Sequence, residues 1–299
     1  MNLKKQQVKM LSILIPCYNF NVINLVRDIL QQAKLINIKF EIICIEDGST
    51  KKFSNAELKK MENVIYEENK ENVGRSKIRN ILSKKAKFKW LLFIDCDSKI
   101  NNQNFLLNYT QRMSELNTIF YGDTEYSKKH KNHKNILHWL YGKKIESKRK
   151  KNQFCSHHFL IEKKVFNHVS FDENIDEYGH EDTIFAIELK LKKYKVIYIN
   201  NTLLHIGLDD NDKFIKKTKE SINNLIILNK KYNLNNLRII KTYNILSYLF
   251  LNELIVILFE SWENKILQNL RSAKPKLIFF QFYKLGYYCQ TLKRLENSK

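Results

Sequence analysis

The chain has 299 residues, of which 43% are hydrophobic and 12% aromatic, with only 7 Gly and 2 Pro. That length can bury a sizeable core, and the composition excludes collagen-like and Pro-rich disordered chains. The formal net charge of +21 points to an anionic partner, whether a phosphorylated ligand, nucleic acid or an acidic membrane surface. Part of that charge is discounted, because Lys, Asn and Ile are abundant along the whole chain.

The chain opens on Met1 to Lys9, polar and basic, with no apolar signal core. Leu11-Ser12-Ile13-Leu14-Ile15-Pro16 reads as a buried strand stopped by Pro16, with Tyr18-Asn19 as a turn. Val22 to Ile36 repeats apolar residues at helical spacing. Phe40 to Ile45 is a second strand and runs into Glu46-Asp47-Gly48-Ser49-Thr50. Val64 to Tyr66 is a third strand, and a helix opens at Asn72-Val73-Gly74-Arg75 and runs to about Ala86.

Trp90 to Ile94 is a fourth strand, five apolar residues leading straight into Asp95-Cys96-Asp97. A continuous apolar run suits a strand covered on both faces. Two acids just past its end stand where open α/β sheets bind ligands, and they are costly there without a cation. The alternation of strand and helix argues for βαβ units and a largely parallel sheet. No G-x-G-x-x-G or G-x-x-x-x-G-K-[ST] string occurs, which weighs against a dehydrogenase or a P-loop enzyme.

Asn102 to Leu116 reads as a helix and Thr118 to Tyr121 as a strand. Ser127 to Asn152 is strongly basic, including Lys131 and Lys150, and reads as a solvated loop or as a segment covering a substrate. Phe154 to Phe166 regains strand and helix character. Asp176-Glu177-Tyr178-Gly179-His180-Glu181-Asp182 precedes a helix from Thr183 to Lys190, where Glu181 and Asp182 also suit the helix dipole. Val196 to Ile199 is another strand, followed by Leu203-Leu204-His205-Ile206-Gly207.

Beyond Lys213 the pattern turns helical. Phe214 to Tyr232 is amphipathic, and Asn244 to Leu270 is the most apolar part of the chain. Within it, Ile245 to Phe259 comes closest to a membrane span but is interrupted by Asn252 and Glu253, and it is long enough to bury a homodimer contact. Lys274 to Lys293 interleaves Lys with Phe and Tyr, which suits either an ordinary packing helix or contact with an anionic membrane surface. Cys17, Cys44, Cys96, Cys155 and Cys289 form no C-x-x-C pair and are read as reduced thiols of a cytosolic protein.

Several strings taken together resemble the family 2 glycosyltransferases of the GT-A fold, from about Met10 to about Asp212. They are Ser12 to Asn19, Ile45 to Thr50, Asn72 to Asn80, Phe93 to Asp97, Gly179 to Asp182, and His205. The resemblance implies a mostly parallel, Rossmann-like sheet flanked by helices, with a catalytic domain over residues 1–212 and a helical extension over 213–299. It implies inverting transfer of one sugar from a nucleotide-sugar, by default a UDP-sugar, to a glycan or glycolipid acceptor in surface polysaccharide or lipopolysaccharide synthesis. Asp47 falls where the family holds the nucleotide base. Asp95 and Asp97 fall on the D-x-D acids, with Asp97 the direct ligand of Mn²⁺ or Mg²⁺ and His205 completing the metal site. Pro16, Tyr18, Asn19, Asn72, Gly74, Arg79 and Cys96 fall around the donor, and the catalytic base falls on Asp182, with Glu181 as second choice.

Two departures stand out. Glu46 replaces the commoner Asp, and no Q-x-x-R-W string appears, which implies single transfers rather than polymerisation. Lys77 and Arg79 read either as partners of the diphosphate or as surface charge. The alternatives are a nucleic-acid-binding protein, disfavoured by acids clustered at strand ends, and an inactive transferase-like subunit, disfavoured by the presence of both D-x-D acids, Asp95 and Asp97, and of the Glu181-Asp182 pair. The expected location is cytoplasmic, with peripheral contact at the inner face of the cell membrane.

Overall fold

The computed structural model describes residues 8–130, 132–149, 151, 153–175 and 178–297. Residues 1–7 and Lys131, Lys150, Asn152, Asp176 and Glu177, named above, lie outside the described residues. The chain divides into two compact units. The first holds 1–127, 147–176 and 181–207; the second holds 128–146, 177–180 and 208–299.

The first unit is built on one sheet. Its strands are β1 (Lys9–Cys17), β2 (Ile38–Asp47), β3 (Val64–Asn69), β4 (Trp90–Ile94), β5 (Ser98–Lys99), β6 (Thr118–Glu125), β7 (His158–Glu162) and β8 (Lys195–His205), in the order β3-β2-β1-β4-β7-β6-β8-β5. The pairs β1–β2, β1–β4, β2–β3 and β6–β8 are parallel, while β7 runs antiparallel to both its neighbours and β5 antiparallel to β8. The helices are α1 (Ile23–Lys34), α2 (Arg75–Lys85), α3 (Phe105–Thr110), α5 (Lys163–His168) and α6 (Glu181–Leu191).

Strand period two sorts the core into two layers. Leu11, Ile13 and Ile15 of β1, with Trp90, Leu92 and Ile94 of β4, pack against α1 and α3. Leu14, Leu91 and Phe93 point the other way, into α2, α5 and α6. Burial on both faces explains why these strands read as unbroken apolar runs. The sheet is therefore mixed: a parallel half carries the expected strands, and the antiparallel β7 joins it to β6 and β8.

Two expected elements differ. The helix expected over Asn102 to Leu116 spans only Phe105–Thr110. Beyond it, Arg112, Met113 and Glu115 bond three residues back, so the chain winds into tight turns. The strand expected over Val196 to Ile199 is longer, β8 running on through Leu203 to His205, opposite an irregularity between Tyr121 and Asp123 of β6.

The second unit is helical: α4 (Ile136–Lys144), α7 (Asn211–Tyr232), α8 (Arg238–Tyr248), α9 (Asn252–Arg271) and α10 (Leu277–Asn297). Asp210 caps α7 by accepting from the Lys213 N–H at 2.8 Å, and Asn233 ends the helix in a left-handed conformation. The core gathers Leu137, Phe214, Ile215, Phe259, Ile266, Leu270, Phe280 and Tyr283. Much of the aromatic content of Lys274 to Lys293 thus turns inward, so that stretch is a packing helix. All five cysteines are free thiols.

Candidate active site

The site forms where β1, β2 and β4 end. At the end of β2, Gly48 takes a φ of +63°, and a Cβ there would lie 2.3 Å from the Asn72 nitrogen. Only glycine permits the strand end to meet the 71–72 backbone so closely. Asp47, 3% exposed, then accepts from the Val73 N–H at 3.0 Å and the Gly74 N–H at 3.2 Å, while Asn72 Nδ2 donates to the Asp47 carbonyl at 2.9 Å. These bonds hold the 72–74 loop as one wall of a cleft of about 220 Å³, which Ser76, Lys77, Glu173 and Ile175 also line. In this conformation the carboxylate of Asp47 shapes that loop.

Glu46 has a different task. Its carboxylate accepts from Ser49 Oγ, from Asn55 Nδ2 at 2.9 Å and from Tyr66 Oη at 3.2 Å. The longer Glu reaches all three partners, which accounts for its place here. Ser49 Oγ in turn accepts from the Asn19 N–H at 2.6 Å, and Asn19 Oδ1 accepts from the Lys51 N–H at 2.8 Å. Asn19 takes a φ of +53°, tolerated by Asn. The loops after β1 and β2 are thereby tied, with Pro16 half-buried and Tyr18 exposed between them. The Tyr18 N–H meets the sulfur of Cys96; burial, with the Asp97 charge added, pushes the Cys96 thiol up and keeps it protonated.

The acids after β4 face two different partners. Arg79, 2% exposed, donates to Asp95 Oδ1 at 2.6 Å and lies 5.3 Å from the Phe171 ring centre. Burial raises the Asp95 carboxyl, Arg79 opposes the rise and Asp97 adds to it, with a net upward result. Arg75, one helical turn before Arg79, donates to Glu181 Oε1 at 3.3 Å. Burial raises Glu181, but Arg75 and then Arg79 outweigh it and hold the carboxyl low. Asp182 follows on α6, half-buried, and accepts from the Thr183 hydroxyl at 3.4 Å.

Asp97 meets His205. The two-residue strand β5 pairs antiparallel with β8 and sets Ser98 opposite His205. Asp97 Oδ2 then lies 3.1 Å from His205 Nε2, and the Ile206 N–H donates to the Asp97 carbonyl at 2.8 Å. A Cβ on Gly207 would lie 2.6 Å from Asp97 Oδ2, so glycine leaves the room the carboxylate occupies. Behind the pair, His157 takes hydrogen bonds to Ser98 Oγ and Thr124 Oγ1, both at 2.9 Å, with its ring 5.7 Å from that of His205. Burial works to raise the Asp97 carboxyl. The charge and hydrogen bond of His205 outweigh it, with help from His157 and Arg75, and hold Asp97 below the ordinary carboxylate range.

One imidazole and one carboxylate are donors suited to Mn²⁺ or Mg²⁺. Ligands about 2.1 Å from an octahedral ion stand about 3.0 Å apart in adjacent positions, close to the 3.1 Å between Asp97 and His205. The residues present therefore fit such an ion. Among the described residues no group of three or more His, Cys, Asp and Glu side chains could hold a metal, so phosphate or water oxygens would complete its shell.

The structure thus gathers Asp95, Asp97, His205, Arg79 and Glu181, and gathers Asp47, Asn72 and Gly74 at the neighbouring loop. Lys77 is exposed, whereas Arg79 is buried and paired, so the surface-charge reading fails for Arg79. Sequence reasoning passed over Arg75, His157 and Gly207. The four-residue spacing of Arg75 and Arg79 on one helix face was the available signal for the first; nothing local marked the other two.

A mixed α/β sheet with acids and arginines gathered at its strand ends, and a helical C-terminal region beyond it, defines a GT-A fold. The chain belongs to glycosyl transferase family 2, whose profile matches residues 12–175. Among solved structures, the mannosyltransferase PcManGT from Pyrobaculum calidifontis, held with GDP-Man and Mn²⁺, aligns at TM-score 0.52 and 13% identity over 75% of this chain and 65% of that one. TarS of S. aureus aligns at TM-score 0.47 and 16% identity over 70% of this chain and 38% of that one. GalNAc-T7, held with UDP, GalNAc and Mn²⁺, aligns at TM-score 0.49 and 15% identity over 68% and 44%. This chain therefore spans 38% to 65% of the length of those three chains. No curated protein matches it.

Proposed function

We propose that this protein transfers a single sugar, with inversion, from a nucleotide-sugar to a hydroxyl of a glycan or glycolipid acceptor, in surface polysaccharide or lipopolysaccharide synthesis. The observation that carries this reading is the Asp97–His205 pair at 3.1 Å beside Asp95, itself clamped by Arg79 at 2.6 Å. That arrangement offers ligands for a divalent ion and a fixed positive charge in one place, as a departing nucleoside diphosphate requires.

In this reading Asp97 and His205 hold Mn²⁺ or Mg²⁺, which when bound offsets the charge developing on the diphosphate. Arg79 fixes the rotamer of Asp95, and Arg75 adds positive charge at the same edge. The loop pinned by Asp47 receives the nucleotide base and ribose, with Asn72 and Gly74 presenting polar backbone; Pro16, Tyr18, Asn19 and Cys96 line the opposite side. Asp182 removes the proton from the attacking hydroxyl. Glu181 suits that role less, because its ion pair with Arg75 lowers its affinity for a proton.

The reading is tested by thermal shifts with UDP, GDP, CMP and ADP, each with and without Mn²⁺. A nucleotide at a hundred times its Kd stabilises by about 2.7 kcal/mol. A Mn²⁺-dependent shift with one nucleotide, UDP by expectation, supports the proposal and names the donor class. No shift with any of the four overturns it.

A further inference from the structure

The helical unit exposes an apolar corner that its own core does not use. Helices α8 and α9 meet at Leu249–Phe250–Leu251, where the chain turns by 116°. Among the described residues no single helix is long and apolar enough to cross a membrane, but this bent pair passes that test jointly. The exposed residues share one side of each helix by spacing: Ile245 62%, Tyr248 83% and Leu249 52% from α8, Phe250 91% at the turn, and Leu254 49% and Ile257 57% from α9. In a chain with 28% charged residues, the stretch from Thr242 to Phe259 carries one charge, Glu253, and that one lies 3.5 Å from Lys293. Phe250 also holds a φ of +56°, a left-handed conformation that a bulky residue adopts at a cost. An exposed aromatic in such a conformation returns nothing to the packing of the unit. Strain of this kind points to function.

We propose that the α8–α9 elbow is a monotopic anchor that inserts Ile245, Tyr248, Leu249, Phe250, Leu254 and Ile257 into the headgroup–acyl boundary of an anionic bilayer. The dimensions suit this occupant. Two helical turns on each side of the corner amount to about 10 Å at 1.5 Å per residue, the depth an interfacial segment reaches. The polar tip of Tyr248, and the ring of Trp262 at 52% exposure five residues beyond Ile257 on α9, are side chains that favour the membrane–water boundary. Charge agrees: residues 208–299 hold 16 Lys and Arg against 8 Asp and Glu, with Lys293 beside the elbow through its contact with Glu253. A sharp convex corner suits a deformable lipid surface better than the self-complementary face that a second copy must present. This inference does not rest on the donor site.

The test is flotation of the full-length protein with vesicles of phosphatidylglycerol and phosphatidylcholine in equal parts, and with phosphatidylcholine alone. The variants are Phe250→Asp and the double variant Leu249→Ser/Phe250→Asp. Asp tolerates the left-handed conformation and position 250 is exposed, so the fold survives; circular dichroism and the nucleotide thermal shift check it independently of lipid. The wild type floats with the anionic vesicles, and the double variant binds them at least about thirtyfold more weakly, from the apolar area lost and the charge gained. A Phe250→Trp variant shows more quenching by lipids brominated near the top of the acyl chain than the wild type with its three tryptophans, and quenching equal to the wild type's would place residue 250 outside the bilayer. Undiminished binding of the double variant, abolished by salt alone, overturns the proposal in favour of general charge attraction. A wild type that ignores vesicles overturns it too, and dimerisation broken by Phe250→Asp would then assign the elbow to a second copy.

Discussion

Replacing Arg79 by Met isolates the clamp on Asp95. Met keeps much of the stem that packs near Phe171, and removes a guanidinium that donates to Asp95 Oδ1 at 2.6 Å and to the Arg75 carbonyl at 3.3 Å. Breaking a wholly buried ion pair costs about 3–5 kcal/mol. The Asp95 side chain remains 25% exposed, and water relieves part of that penalty, so the loss is about 2 kcal/mol. In a chain of this size that lowers Tm by about 5 °C. The sharper consequence is in titration. Arg79 is the main group opposing the burial-driven rise of the Asp95 carboxyl, so its removal sends that carboxyl further up. Donor binding that needs ionised Asp95 then fails at a higher pH than in the wild type. Calorimetric titration of the responding nucleotide with Mn²⁺ from pH 5 to pH 8 follows this directly. An acid limb that stays in place while affinity falls uniformly would refute the assignment of Arg79 as the group that keeps Asp95 ionised.

Asp97→Ala is expected to leave the fold intact and reduce metal-dependent turnover by at least about a hundredfold; full activity with Mn²⁺ would remove Asp97 from the metal site. Asp182→Asn should keep the nucleotide thermal shift while transfer falls by about 10²–10⁴-fold; loss of the shift instead would place Asp182 in the donor site. A third expectation concerns His158, fully buried with Nδ1 2.6 Å from Tyr109 Oη, where burial pulls the imidazole down to about 4. The folded state refuses a proton that the unfolded state accepts from about pH 6.5 downward. Stability from this group is therefore complete above pH 6.5 and lost as pH falls toward 4, by about 2 kcal/mol between pH 7 and pH 5. Urea midpoints of the wild type and His158→Phe at those two values check it, and parallel declines would exclude His158 as the source.

The parallel half of the sheet was legible because its strands are covered on both faces. Leu11–Ile15, Phe40–Ile45 and Trp90–Ile94 have no polar face to keep, so they stand out as apolar runs. The antiparallel insertion of β7 left no such mark, since its buried run His158–Glu162 looks the same in either direction. The break between α8 and α9 was also hidden. Neither Gly nor Pro occurs from Asn244 to Leu270, and the turn is made by Phe250, a residue with no local reason to adopt a positive φ.

The site was legible wherever a strand end and an acid coincide in sequence. It was illegible wherever function depends on a pairing between distant segments. Asp97 and His205 stand 108 positions apart and meet only because Ser98 and Lys99 pair with the end of β8. Two residues carry no periodicity from which a strand could be inferred, yet without that strand the carboxylate and imidazole have no reason to share an ion. Gly207 and His157 belong to the same closure, one by leaving space beside Asp97 and the other by bonding Ser98 to Thr124. The short strand thus positions the Asp97–His205 pair proposed to hold the metal, and its own partners count with that site.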